Sequence, residues 1–325
     1  MKQNKNWKAS AALALTVIIM LTLGATYAMA AEKLTVSYNP MPLNVPSIVM
    51  KEMGFLEESM GELGVEVEYK SFLAGYQMTE AMAAGELDIA PVMGGTSTIT
   101  SYAGGRDLQV FAAYGQAPAG FAIAVKADSP VESIQELEGR TVGVPVGTEA
   151  HYLLGKALEE AGLELKEVQT ANMLVPDAVT ALMAGHIDAA AVVEPVLSRL
   201  QTAGQIRVLR DGVGLMPGLT VMTARRDILE QRPDIMAAFL KAHNRSLRYM
   251  EDNPEETIEL VAQETKLPAE LVQKIMAKYT FAPQLTPELA ASLDNTAAFL
   301  LAVGIIREPV DLEGLINFTV LDSVQ

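Results

Sequence analysis

Short apolar runs with a period of two alternate along this chain with segments whose apolar residues repeat at helical spacing. Val142, Val144 and Val146 are β-branched and alternate, as in a strand. Gly147 then permits a tight turn, and Tyr152, Leu153, Leu154 and Leu158 give the next segment one apolar side. This predicts strand, turn and helix, with Thr148 at the N-cap. The same unit recurs upstream. Strands are predicted over 33–38, 65–69, 87–93 and 110–114, and helices over 46–53, over 76–84 and from the Gly94-Gly95-Thr96-Ser97 step onward. Such βα alternation implies parallel sheets covered by helices on both faces, with ligands gathering at the C-terminal ends of the strands. Those ends are Tyr38-Asn39-Pro40, Phe72 to Gly75, Gly94-Gly95-Thr96 and Gly115-Gln116.

The pattern then repeats. Strands over 120–126, 189–193 and 207–209 accompany helices over 176–184 and 197–204. Ala84-Gly85-Glu86-Leu87-Asp88-Ile89-Ala90 is echoed one hundred positions later by Ala184-Gly185-His186-Ile187-Asp188-Ala189-Ala190. In each copy Gly suits a left-handed helix end and Asp the turn that follows. Two lobes of one local build are therefore expected. Residues 31–119 begin the first lobe, 120–216 form the second, and 217–325 return to the first through a strand over 219–225. Helices over 233–251, 254–265, 268–279 and 287–303 each begin at Pro and should brace the hinge.

Before this region stands a basic start, Met1 to Lys8, then an apolar run to about Leu23 and Ala28-Met29-Ala30. That is the layout of a secretory signal cleaved before Ala31. An uncleaved anchor is the alternative, but the run is shorter than the ~20 residues that span a bilayer. With no cysteine in the chain, neither disulfides nor lipid attachment behind the signal is expected. The mature chain should be free in the periplasm and monomeric. Its formal net charge is −16, and removing Lys2, Lys5 and Lys8 makes it more acidic still. This argues against nucleic acid and anionic membranes as partners. An anion site would have to rely on local donors.

Catalytic patterns are scarce. There is no HExxH spacing, no G-x-S-x-G elbow and no P-loop, so neither an enzyme nor a metal or cofactor is expected. The helix start at Gly147-Thr148 offers unpaired N–H groups and a positive dipole end. His151 lies in its first turn and could donate to a ligand or pack against the hinge. Glu149 favours its own helix there, yet would compete with a bound anion for the same positive end. Glu194, held before Pro195, could aim into the cleft, bond the hinge or stay solvated. His186 reads as surface and His243 as structural. Met41, Met93, Met173 and Met216 sit near loop ends and fit either a core or a partly apolar pocket.

Together these stretches resemble the periplasmic substrate-binding components of ABC importers for nitrate, sulfonates, taurine and thiamine-pyrimidine precursors. Gly147-Thr148-Glu149-Ala150-His151-Tyr152-Leu153-Leu154 is similar to the G-[ST]-x-x-H-Y-L-L turn of sulfonate binders. Ala84 to Ile89 matches the family's helix-Gly-x-[IL]-Asp step, and Asp128-Ser129-Pro130 with Leu137 to Val144 its entry into the second lobe. The resemblance implies a type II, hinge-closing α/β receptor that binds a small ligand and delivers it to an ABC permease. It nominates Tyr38, Gly94, Gly95 and Thr96 in the first lobe and Gly147, Thr148 and His151 in the second, beside Asn39, Gln116 and Glu194 from the residue pattern. The chain departs from the family at Glu194, where Asp is frequent, and in the loops 39–42 and 72–76. A pyrimidine- or menaquinone-pathway enzyme of the same fold, or a receptor feeding a membrane sensor, is the competing expectation.

Overall fold

The computed structural model describes residues 32–72 and 74–322, so the segment read as a signal peptide lies outside the described residues. The strands are β1 (Glu32–Ser37), β2 (Val65–Lys70), β3 (Ile89–Gly94), β4 (Leu108–Gln116), β5 (Phe121–Lys126), β6 (Thr141–Val144), β7 (Gln169–Asn172), β8 (Ala189–Val193), β9 (Ile206–Asp211), β10 (Leu219–Arg225) and β11 (Thr280–Phe281). They form two sheets, ordered β11-β4-β10-β3-β1-β2 and β7-β6-β8-β5-β9. The βα units give parallel pairs, β1 with β3 and β6 with both β7 and β8. Among the longer strands one in each sheet runs the other way, and the two-residue β11 is likewise antiparallel to its neighbour β4. β10 is antiparallel to β3 and β4, and β5 is antiparallel to β8 and β9. These are the two strands that arrive from the other sheet, so they enter against the direction set by the local βα units.

Helices α1 (Val45–Glu52), α2 (Phe55–Gly61), α3 (Gly75–Ala83) and α4 (Gly95–Ala103) follow the strands of the first sheet. The second sheet is followed by α5 (Glu149–Glu160), α6 (Val175–Ala184) and α7 (Val196–Thr202). The chain then continues through α8 (Arg226–Gln231), α9 (Pro233–Asp252), α10 (Pro254–Thr265), α11 (Ala269–Met276), α12 (Pro287–Ala302) and α13 (Thr319–Asp322). Proline opens α9, α10 and α12, where its missing N–H costs nothing. In the second sheet the strand period sorts side chains cleanly. Ile123, Val125, Val142 and Val144 join Leu153 and Leu154 on one face, while Ala122, Ala124, Ala190 and Val192 join Leu182 and Leu197 on the other. The six-residue helix α8 and the two-residue β11 escape the periodicity, being shorter than two full repeats of their own patterns.

The seven-residue echo has a physical job. Gly85 and Gly185 both take positive φ, +72° and +74°. Asp88 accepts the Thr35 N–H at 2.7 Å and returns its own N–H to the Thr35 carbonyl. Asp188 does the same with Thr141, at 2.9 Å. Each Asp also pairs with an arginine at 3.2 Å, Arg225 for Asp88 and Arg140 for Asp188. Each carboxylate thus ties the strand it precedes to the first parallel strand of its sheet.

His243 is fully buried in α9, its ring centroid 5.4 Å from that of Tyr114, and neither ring nitrogen has a hydrogen-bond partner among the described residues. Burial lowers its pKa from 6.5 to about 3.

Two measurements test this account. Asp88→Ala should cost about 1–3 kcal/mol in denaturant unfolding, and Asp188→Ala less, because the Asp188 side chain is 37% exposed and that of Asp88 only 11%. The depressed His243 means the unfolded chain takes up a proton near pH 6.5 that the folded chain refuses. Its contribution is therefore lost as pH falls from 6.5 toward 3, on the order of a few kcal/mol. His243→Phe should flatten that part of the stability-against-pH curve, leaving the weaker slope of the same sign from buried His151.

Candidate functional site

Strand β3 ends at Gly94, which is also the N-cap of α4, and the first helical residues are Gly95 and Thr96. Gly94 has no side chain to cap with, so its helix needs an acceptor from elsewhere. That acceptor comes from the other sheet. Glu149, the first residue of α5, reaches across and its Oε1 accepts both the Thr96 N–H and the Thr96 hydroxyl, each at 2.8 Å. A Cβ on Gly94 would lie 2.5 Å from Oε1 and 2.7 Å from Oε2. Gly94 therefore matters for its absent side chain and not for its φ, which is an ordinary −68°. Glu149 sits in the first turn of α5 and against the first turn of α4, so one carboxylate faces two helix N-termini, each with about half a positive charge.

The predicted corner of α5 is differently wired. Thr148 is the N-cap residue, but its hydroxyl donates to the Pro145 carbonyl at 2.7 Å and caps no helical N–H. Gly147, at φ +81°, donates its N–H to His151 Nδ1 at 3.2 Å. The His151 ring is buried and stands edge-on to Phe299 at 5.2 Å. Burial lowers its pKa, which suits the neutral acceptor that Gly147 requires. His151 thus braces its own turn and packs toward α12.

α12 bridges the two sheets' helices. Leu293 covers Gly95, where a Cβ would meet Leu293 Cδ2 at 2.9 Å. Phe299, near the other end, packs on His151 and Tyr152, and a Cβ on Gly155 would meet its ring at 2.5 Å. The small gap left between Glu149, Tyr152, Gly95, Met216, Leu219 and Leu293 is about 20 Å³, room for a water at most.

Other nominated residues sit apart from this contact. Tyr38, just past β1, donates to Glu264 Oε2 at 3.2 Å and stacks under Lys51 Nζ at 4.8 Å. Its phenol is pushed well above its usual range, first by burial and then by Glu264. Asn39 ties the loops after β1 and β2 together, its amide donating to the Phe72 carbonyl and its Oδ1 accepting the Phe72 N–H at 3.2 Å. Gln116 ends β4 between Leu219 and Thr280. Glu194 is 3% exposed. It accepts Ser198 Oγ at 2.7 Å and Ser198 N–H at 3.2 Å, and pairs with Lys278 from the segment after α11. Of the readings open for Glu194, the solvated loop acid is the one this burial does not fit. Met93 and Met216 are buried. Among the described residues, no His, Cys, Asp or Glu cluster is placed to hold a metal.

The residues brought together are therefore Gly94, Gly95 and Thr96 with the start of α5. The side chain that joins them, Glu149, is absent from the nominated set, although its place in the first turn is visible. Lys278 and Phe299 lie 84 and 148 positions from their partners Glu194 and His151, and nothing local announces them.

The NMT1/THI5-like family model matches residues 44–257, about two thirds of the chain. The chain belongs to the NMT1/THI5-like family. An aliphatic sulfonates-binding protein of Escherichia coli K12 is 27% identical over 88% of this chain and 90% of its own length. The taurine-binding periplasmic protein of the same organism is 28% identical over 56% of each chain. The crystal structure of the periplasmic aliphatic sulphonate binding protein SsuA from Escherichia coli superposes with a TM-score of 0.79 at 26% identity, covering 88% of this chain and 92% of its own. These relatives are binding proteins of the periplasmic kind, and the fold of this NMT1/THI5-like chain is theirs.

One substitution isolates the cross-sheet contact. Gly94→Ala is conformationally neutral at φ −68° but must push the Glu149 carboxylate off Thr96. The expected cost is about 1–2 kcal/mol, with faster amide exchange at Thr96 and at the start of α4. Unchanged exchange at Thr96 would mean that Glu149 does not hold that amide.

Proposed function

We propose that this chain is the extracytoplasmic receptor of an ABC importer, closing on a small organic solute of the organosulfonate kind and delivering it to a membrane permease. The observation that carries the reading is the Glu149–Thr96 contact, which brings the C-terminal end of a parallel strand in each sheet to one place. The names of the relatives support the solute class and the location. The lobes are 31–119 with 217–325, and 120–216. Export through a signal cleaved before Ala31 leaves a monomer without a lipid anchor.

Closure turns on the two segments that pass between the sheets. Gly212 donates its N–H to the Pro118 carbonyl at 3.1 Å, and Ala117 donates to Pro217 and Gly218 at 3.2 Å. A Cβ on Gly212 or Gly218 would sit 2.6 Å from the opposing carbonyl, so the two segments touch backbone to backbone. Such a pair can rotate as one hinge while the sheets stay rigid. The ligand adds contacts available only when both lobes meet, and so selects the closed state. Within this reading Tyr38, Asn39, Gly94, Gly95, Thr96 and Gln116 line one wall, and Gly147 and Thr148 the other. His151 and Glu194 support that second wall from behind. The chain leaves its ligand chemically unchanged.

Purified mature protein should melt higher with its cognate solute. At a hundredfold excess over Kd the gain is about 2.7 kcal/mol, several degrees in Tm. A panel of sulfonates, oxyanions, carboxylates and pyrimidines that shifts nothing would overturn the receptor reading, and mass spectrometry of ligand recovered altered would overturn the claim that it is not processed.

A further inference from the structure

We infer that Glu149 sets the ligand class: the group that meets it is a hydrogen-bond donor, an ammonium, so that among sulfonates the protein takes aminosulfonates and rejects plain alkanesulfonates. This inference rests on the receptor reading above. Three observations carry it. The N-terminus of α4 ends at the proposed cleft, and its Thr96 donors are already taken by Glu149 Oε1. The Gly94 backbone is shaped to that carboxylate, since a Cβ there would collide with both of its oxygens. Oε2 has no hydrogen-bond partner among the described residues, and it is not among the fully enclosed unpaired atoms. One carboxylate oxygen is thus fixed on the protein and the other remains an acceptor.

The electrostatics point the same way. A bare helix end would attract an anionic head. Here a full negative charge already offsets the partial positive charges of α4 and α5. A sulfonate brought to Thr96 would have to expel Glu149 or lie beside it, and like charges at contact repel. The neighbouring strand end adds a second acid, because Tyr38 after β1 is bonded to Glu264 and β1 is the neighbour of β3. An ammonium meets both conditions without expelling Glu149 from Thr96, and it enters when the lobes part, because the gap beside Glu149 in this arrangement is only water-sized.

The test is a matched pair of ligands differing by one group, 2-aminoethanesulfonate and ethanesulfonate. Each is titrated calorimetrically into the mature protein, Glu149→Gln and Glu149→Ser. Glutamine keeps an acceptor for Thr96 and removes the charge, while serine clears the helix end. The wild type should prefer the amino compound at least tenfold. That preference should collapse in Glu149→Gln, and Glu149→Ser should gain affinity for ethanesulfonate. Circular dichroism and Tm of the variants separate loss of fold from loss of binding. Equal affinity of the wild type for both compounds, or a preference that survives in Glu149→Gln, would overturn the inference and leave the receptor reading intact. If neither compound binds while another solute of the panel does, the ligand class assigned here is wrong and the receptor stands. If no solute binds, the receptor reading itself falls.

Discussion

Two stretches of backbone pass between the sheets of this protein, and they are in direct contact. Everything else is arranged around that constraint. Gly212 and Gly218 leave no room for a side chain between themselves and the carbonyls of Pro118 and Ala117. The crossing pair therefore behaves as one two-stranded connection, and each crossing continues into the strand that runs against its new sheet, β5 on one side and β10 on the other. Because both sheets are entered in this way, both place their parallel strands with the C-terminal ends toward the same space. The meeting of Thr96 and Glu149 follows from this topology.

The first-order features were legible in the chain because their causes are local. Strand period, proline at helix starts and glycine at helix ends are each decided by the residues concerned, so α9, α10, α12 and β8 fall where the pattern places them. The echo around Asp88 and Asp188 was also visible, since the same hydrogen bond to a first-strand threonine demands the same short sequence twice. The strands β5 and β10 could be read as strands, whereas their direction is a property of the topology and leaves no mark on composition.

Side-chain partners were legible only in part. A histidine in the first turn beside a glycine looks the same whether it faces a ligand or receives that glycine's N–H. Its orientation is set by Phe299, which lies far along the chain. Threonine at an N-cap position suggests a cap, but in this protein the Pro145 carbonyl three residues back competes successfully for the hydroxyl. Asn39 likewise spends both ends of its amide on Phe72, joining two loops.

Glu149 and Glu194 show how two acids near one cleft divide their work. Glu194 is buried and met by Ser198 and by Lys278, a cation supplied from after α11. A buried carboxylate without such partners would carry a desolvation penalty of several kcal/mol, so the ion pair is a condition of Glu194 occupying that place. Its two oxygens have protein partners, and little capacity remains for a ligand. Among the described residues Glu149 has no paired cation. Its charge is met by helix termini and by two donors from one residue, all directed at Oε1 or at the carboxylate as a whole. Partial charges of this kind hold a carboxylate in place without saturating it. That contrast is why we propose Glu149, which lacks a counter-ion among the described residues, as the acid that takes one from the ligand.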